Sequence, residues 1–383
     1  MRHFFTFLKW IFIITIVFVI HAYITGNTHV FKTLGQTVLK GKLGPGVDTR
    51  KVFSTRKVNT GRPQPWQEDS LLGKLKMDKE YSETFTKYQT LAFLVTRKGK
   101  IIYEDYSEGY DKVSSTNPWS VSKSILSLLI GAAIKDGKIK SVNQNVSDFL
   151  PEYEGTGLKI WHLLSMSSGI NFKEQYINPY GYPAKALYGT DLESLNNKYR
   201  VNNIPGKHFI YLSGNSQILG FVLKKAVGKN VSDYASEKLW RKIGAEYPAW
   251  WSLDKTGGME KTFCCFHSNA RDFAKIGQLM LQKGIWGNDT LFSWDYFNSL
   301  THASNTVTLQ GKPNDMYGFH WWVVKYKGLE IFYARGINGQ YIIDIPAKEM
   351  VIVRLGRKWN TTKINGHHQE FYTYIDAALS LKE

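Results

Sequence analysis

The 383-residue sequence predicts an α/β chain of the α+β type. In this reading an antiparallel sheet is flanked by helices, carries an inserted, mainly helical lobe, and is preceded by one transmembrane helix. Three observations lead there. β-rich runs stand near both ends of the main body, at residues 91–103 and 317–356, while residues 140–250 read as helix and loop. A sheet assembled from such distant segments encloses the residues between them as an insertion. Hydrophobic residues make up 43% and charged residues 21%, a globular composition that excludes disorder, collagen and coiled coil. The third observation is a long apolar run at the N-terminus.

That run extends over 21 residues from Phe4 to Ile24, close to the ~20 that span a bilayer. Lys9 is near enough to its start to snorkel. The competing reading is a cleaved signal peptide and a secreted product, but His-Ala-Tyr-Ile-Thr-Gly offers only poor small-x-small sites. We take residues 1–27 as a transmembrane anchor or signal segment and favour the anchor. Arg2 and Lys9 flank its leading side and the first lysine beyond it is Lys32. The excess of positive charge on the leading side keeps the N-terminus in the cytoplasm and exports the rest to the periplasmic or extracellular side.

Net charge is +17, of which residues 1–64 hold +9, with Asp48 their one acid. Residues 28–64 lack sustained periodicity and read as an extended basic linker. Its lysines and arginines are either a solvated linker or an attraction to anionic lipid, worth about 1 kcal/mol per residue near such a surface. A nucleic-acid binder would instead show a basic stripe interleaved with aromatics on its folded domain, so no nucleic-acid partner is expected.

Residues 65–383 form the expected catalytic domain. Leu91–Tyr103 is two β-rich runs around Arg97-Lys98-Gly99, hence a hairpin. After Ser120, the apolar positions Val121, Ile125, Leu128, Leu129 and Ala132 recur at helical spacing, and Gly137 ends the helix. Residues 268–282 read as another amphipathic helix. Residues 317–356 return to strands, with a turn at Pro346–Glu349, and residues 369–381 close the chain as a helix.

Several chemistries are excluded. Neither a Walker A box nor G-x-G-x-x-G is present. No C-x-x-C or H-E-x-x-H occurs and the ten histidines show no ligand spacing, so neither metal nor cofactor is expected. Cys264 and Cys265 are neighbours, a spacing that pairs poorly, and both are expected unpaired.

Positive chemistry begins with S-x-x-K, which occurs at Ser54–Lys57, Ser120–Lys123 and Ser252–Lys255. Only Ser120 opens a long apolar helix right after a strand hairpin. Positions i and i+3 share a helix face, so Lys123 Nζ can reach Ser120 Oγ. The helix N-terminus adds a backbone N–H and a positive dipole end suited to an oxyanion. Serine needs a base to become a nucleophile, and a lysine serves if burial lowers its pKa. The plain alternative is that Ser120 caps the helix and Lys123 is a solvated first-turn residue.

Five segments in order resemble the serine β-lactamase and penicillin-recognising hydrolases, especially the class C-like esterases and the 6-aminohexanoate-dimer hydrolase group. They are Leu94–Glu104, Trp119-Ser-Val-Ser-Lys-Ser124, Leu158–Ile170, Pro205–Asn215 and Arg271–Met280. The resemblance spans about residues 60–380 and implies the β-lactamase/transpeptidase-like fold. It makes Ser120 the nucleophile, Lys123 its base and Tyr211 a proton relay between serine and leaving group. With 22 tyrosines in the chain, the alternative for Tyr211 is a core aromatic. The family's tyrosine box reads Tyr-x-Asn, whereas Tyr211-Leu212-Ser213 puts a shorter side chain without an amide at the substrate-binding position.

The third box departs further. A literal Lys255-Thr256-Gly257 is rejected, because the box belongs on an edge strand followed by one more strand and the terminal helix. Phe332–Tyr341 matches better, placing Ala334 and Arg335 where Lys or His and Thr usually stand and retaining Gly336. The amide of Ile337 then stands as the second oxyanion donor beside that of Ser120. The family's side chains at this box hold a substrate carboxylate; Arg335 takes over that task or points to solvent, as strand alternation allows either.

The expectation is a membrane-anchored serine hydrolase acting on esters or linear amides, with a small-molecule or short-peptide substrate. A β-lactamase or peptidoglycan DD-peptidase is the alternative within the fold. A catalytically silent binding protein is the alternative from another class.

Overall fold

The structure, a computed structural model, describes residues 1–41 and 44–382. Helix α1 (Arg2–Ile24) contains an 18-residue stretch with a mean hydropathy of 2.2 and is long and apolar enough to cross a membrane, as an anchor or a signal sequence. Its Ala22 is buried, and its other apolar side chains are mostly exposed. Helix α2 (His29–Gln36) begins after four residues. Strand β1 (Thr55–Val58) and the short β2 (Gln67–Glu68) precede helix α3 (Lys79–Lys87). Residues 28–64 are therefore not extended throughout. Val30, Val47, Phe53 and Val58 are each buried. They anchor at irregular intervals against different parts of the domain, so no period announces them.

Strands β3 (Thr90–Arg97) and β4 (Lys100–Tyr106) form the expected hairpin. Its two turn residues, Lys98 at φ 52° and Gly99 at φ 73°, both adopt the left-handed conformation that tight hairpins require. The helical lobe then runs through α4 (Val121–Lys135), α5 (Ile160–Leu164), α6 (Tyr182–Tyr188), α7 (Leu192–Asn196), α8 (Ser213–Val227) and α9 (Val231–Ala235). Strands β5 (Ala249–Ser252) and β6 (Phe266–His267) join β1 in a separate three-stranded sheet. Helix α10 (Ala270–Leu281), the small hairpin β7 (Ile285–Trp286) and β8 (Asp289–Thr290), and α11 (Trp294–Thr301) complete the lobe. The chain returns through β9 (Trp322–Tyr326), β10 (Leu329–Gly336), β11 (Gln340–Ile345) and β12 (Met350–Gly356). It ends with hairpin β13 (Lys363–Ile364) and β14 (His367–His368) and helix α12 (Gln369–Ser380).

The main sheet has seven strands in the order β2-β4-β3-β12-β11-β10-β9, antiparallel except for the β2–β4 pair. β12 lies against β3 with Val353 opposite Leu94, and this pairing joins the two distant ends of the domain. Ala92 and Leu94 bury on the face that packs against α4 and α10, while Phe93 and Val95 bury on the other with Phe85, Phe371 and Tyr374. A strand buried on both faces reads as a continuous apolar run, as Leu91–Val95 does.

One expectation is corrected here. β10 is not an edge strand, because β9 covers it; the two strands expected after it, on either side of the turn at Pro346–Glu349, are β11 and β12. The β9 register runs only from Leu329 to Tyr333, however. Ala334–Gly336 project beyond it, so the end of β10 nearest the site still offers a free edge.

Candidate active site

Ser120 is reached through a strained turn. Trp119 has φ 50°, uncommon for a bulky side chain. Asn117 holds it there: its Oδ1 accepts from the Trp119 amide at 2.9 Å and its Nδ2 donates to Thr49 Oγ1 at 2.8 Å. The Asn117 amide donates to the carbonyl of Val47 at 2.8 Å. Residues 47–49, in the expected linker, thus buttress the turn before the serine.

Ser120 occupies the N-cap of α4 but makes no side-chain capping bond. Its Oγ accepts instead from Lys123 Nζ at 2.9 Å. Lys123 is 1% exposed rather than solvated. Its Nζ also donates to the Phe263 carbonyl at 2.7 Å and lies 5.3 Å from the centre of the Tyr211 ring. Burial lowers its pKa to about 7, and the nearby Glu174 carboxylate opposes part of that fall. The helix beneath is buried on all sides, and its small polar residues are satisfied: Ser122 Oγ accepts from the Phe266 amide at 3.0 Å, and Ser124 Oγ donates to the His320 carbonyl at 2.6 Å.

The segment that presents the Phe263 carbonyl contains the cysteine pair, and here the expectation of unpaired thiols is corrected. Cys264 and Cys265 form a disulfide with one another. The expectation holds for ordinary backbone, where successive side chains diverge. Cys265 instead has φ 71°, in the left-handed region, and the turn brings the two side chains together.

Tyr211 stands in the loop before α8, its ring against Trp322 and Tyr317 at 5.5 and 5.8 Å. Burial pushes the phenol up to about 12, while a hydrogen bond with Ser120 and the positive charge of Arg335 pull it back. It is therefore protonated at neutral pH. Ser213 opens α8, and its amide donates to Glu174 Oε2 at 3.0 Å. Tyr176 donates to Glu174 Oε1 at 2.9 Å and lies 3.5 Å from Ser213 Oγ. The sequence does not single out Glu174 and Tyr176. They lie in a loop with no motif or period to mark them.

The end of β10 packs on the serine turn. A Cβ added to Gly336 would lie 2.1 Å from the Pro118 carbonyl oxygen, so only glycine fits. Arg335 does not point to solvent: its guanidinium lies 3.9 Å over the Trp322 ring, and its buried Nη1 has no hydrogen-bond partner. Among the described residues, the amides of Ser120 and Ile337 donate to no protein acceptor. Both residues line a cavity of about 200 Å³ together with Trp119, Tyr176, Ser213 and Phe263.

The other S-x-x-K pairs are not assembled. Ser54 Oγ bonds Thr256 Oγ1 at 2.9 Å, and Ser252 Oγ is buried against His267 Nε2 at 3.0 Å. Lys255-Thr256-Gly257 is an exposed turn after β5, and none of the three lines the Ser120 cavity.

The family model described as Beta-lactamase matches residues 80–371, more than half of the chain. A 6-aminohexanoate-dimer hydrolase from Paenarthrobacter ureafaciens is 26% identical over 291 residues, covering 70% of this chain and 72% of that protein. Among solved structures, a candidate 6-aminohexanoate-dimer hydrolase from Bacillus anthracis superposes with a TM-score of 0.74 at 19% identity, over 87% of this chain and 92% of that one. A family VIII carboxylesterase superposes with a TM-score of 0.60 at 15% identity, over 78% and 95%. Sequence and fold agree, and the chain belongs to the β-lactamase family as a hydrolase.

Proposed function

We propose that this hydrolase cleaves esters or linear amides through an acyl-enzyme on Ser120. The observation that carries the reading is the 2.9 Å contact between Ser120 Oγ and a buried lysine whose pKa stands at about 7. An ordinary lysine, near 10.5, is almost wholly protonated at neutral pH and cannot act as a base. At about 7 a large fraction is neutral, and its lone pair can take the Oγ proton. Oγ then attacks the carbonyl carbon, and the oxygen gathers charge between the amides of Ser120 and Ile337. Tyr211, protonated and bonded to Ser120, passes a proton to the leaving group. Water then attacks the acyl-enzyme, with Lys123 and Tyr211 in the reverse roles.

Linear substrates are favoured over β-lactams because Ala334 and Ser213 replace side chains with which the family grips the antibiotic. The relative named 6-aminohexanoate-dimer hydrolase supports a linear amide. One observation favours the β-lactamase or DD-peptidase alternative: the unpartnered Nη1 of Arg335, which suits a substrate carboxylate. We further infer that α1 stays as an anchor, with residues 65–383, buttressed by residues 47–58, as the exported catalytic unit.

The test is kcat/KM for p-nitrophenyl butyrate and for a chromogenic cephalosporin on one preparation. The ester should win, a fluorophosphonate should label Ser120, and Ser120→Ala should abolish labelling and turnover. If the cephalosporin wins, and Arg335→Ala removes that preference by ten- to a hundredfold, the alternative holds. Labelling that persists in Ser120→Ala moves the nucleophile elsewhere.

A further inference from the structure

We infer that the Ser120 cavity receives the long acyl chain of an ester drawn from the membrane in which α1 sits. The inference rests on the acyl-enzyme reading of Ser120 and names its substrate class.

The cavity's far wall is not part of the catalytic domain. It is α2 and the turn after it, through Leu34 and Val38. Only four residues separate α2 from the membrane-length helix α1. The joint between them is packed: Phe31 meets Phe18 and Tyr23 at 5.8 and 6.0 Å, and the Asn27 amide donates to the Ala22 carbonyl at 2.8 Å. α2 is tied in turn to the catalytic lobe, with Val30 buried and His29 Nε2 bonded to the Pro179 carbonyl at 2.8 Å. At 1.5 Å per residue α2 is about 12 Å long, and its cavity-lining Leu34 follows Phe31, which touches α1, by about one turn.

The cavity's chemistry agrees with this placement. Among the described residues that line it, none carries a charged side chain. Its rim carries Ile177, 100% exposed, and Val38, with Leu39 next to it 81% exposed. Large apolar side chains left bare at a cavity mouth suit a surface that meets lipid. Lys32 and Lys40 lie on the same segment and the first acid is Asp48, a balance suited to an anionic bilayer surface.

The direction of the substrate is set by the residues the cavity omits. Ser120 and Ile337, the oxyanion donors, line it, whereas Tyr211 and Arg335 do not. With the acyl chain in the cavity, the alcohol departs past Tyr211, the proton donor, which does not line it. Oγ bonds to the acyl carbon as the ester C–O bond breaks, the Oγ proton ends on the departing oxygen, and water releases the fatty acid.

The experiment uses the full-length protein in vesicles of phosphatidylcholine and phosphatidylglycerol, with p-nitrophenyl esters from acetate to decanoate. kcat/KM should rise about fourfold per methylene until the slot is full, and at least tenfold from butyrate to octanoate. Leu34→Asp should cut the octanoate-to-acetate ratio at least tenfold. Ile177→Cys carrying an environment-sensitive dye should be quenched by nitroxide-labelled lipid. Acetate turnover with a flat chain-length profile, or a dye that lipid nitroxides do not quench, overturns the inference and leaves the hydrolase reading standing. A rising profile that Leu34→Asp leaves intact also overturns it. Loss of even acetate turnover, with no fluorophosphonate labelling at Ser120, overturns the hydrolase reading itself. The wild-type profile and the dye do not depend on the folding of the Leu34 variant.

Discussion

Replacing Lys123 by Met is expected to abolish turnover and yet stabilise the fold at neutral pH. The lysine is buried, and burial lowers its pKa from 10.5 to about 7. At 1.36 kcal/mol per pH unit, keeping that lysine protonated in the fold costs about 5 kcal/mol at pH 7 and below. Met removes the cost. It also forfeits the bonds to Ser120 Oγ and the Phe263 carbonyl, about 1 kcal/mol each, and leaves the carbonyl unmet for about 1 more. The net gain at pH 6–7 is about 1–3 kcal/mol. With unfolding entropy near 2.1 cal/mol/K per residue, that raises Tm by about 2–4 °C in a domain of this size. The sign reverses with pH. Between pH 7 and 10.5 the unfolded lysine holds a proton that the folded one lacks, so wild-type stability rises with pH across that window. The variant lacks the Lys123 share of that rise, and it should cross wild type near pH 8–9 and be the less stable above it. Lys261 is also buried with a pKa of about 7, but it is present in both proteins and cancels in the difference. Thermal melts of both proteins from pH 6 to 10 decide it. A variant less stable than wild type at pH 6, or a difference independent of pH, refutes the argument.

Two further outcomes are expected. Glu174→Gln removes the negative charge that raises the Lys123 pKa. The rising limb of the wild-type kcat/KM profile, which should lie near pH 7, should then move to lower pH; a limb that stays or moves upward counts against the electrostatic link. Gly336→Ala forces a methyl to 2.1 Å from the Pro118 oxygen, so β10 and the serine turn must part. We expect a loss of about 1–3 kcal/mol in stability and about 10²–10³-fold in kcat as the Ile337 amide leaves its place, measured by melting and by ester turnover.

The features legible in the sequence were local. The β3–β4 hairpin follows from two strand-like runs around a left-handed turn, and α4, α10 and α12 follow from helical spacing. Ser120 and Lys123 could be paired because three residues along a helix is a fixed geometry. The resemblance then supplied Tyr211 and the third box, in whose strand the clash at Gly336 gives the physical reason for a glycine. Tertiary structure decided the rest. The Lys123 pKa falls only because folding buries it, beneath the Phe263 carbonyl, 140 residues away, and the Tyr211 ring. Glu174 and Tyr176 reach the site from an unpatterned loop. Val47 and Thr49 reach it from a segment whose apolar residues have no period. The disulfide depends on one left-handed residue at Cys265, and the seat of Arg335 over Trp322 on which face of β10 turns inward. Periodicity and turn chemistry record what a residue does with its neighbours in the chain. The pKa of a lysine, the pairing of two thiols and the wall of a cavity depend on neighbours brought close only by folding.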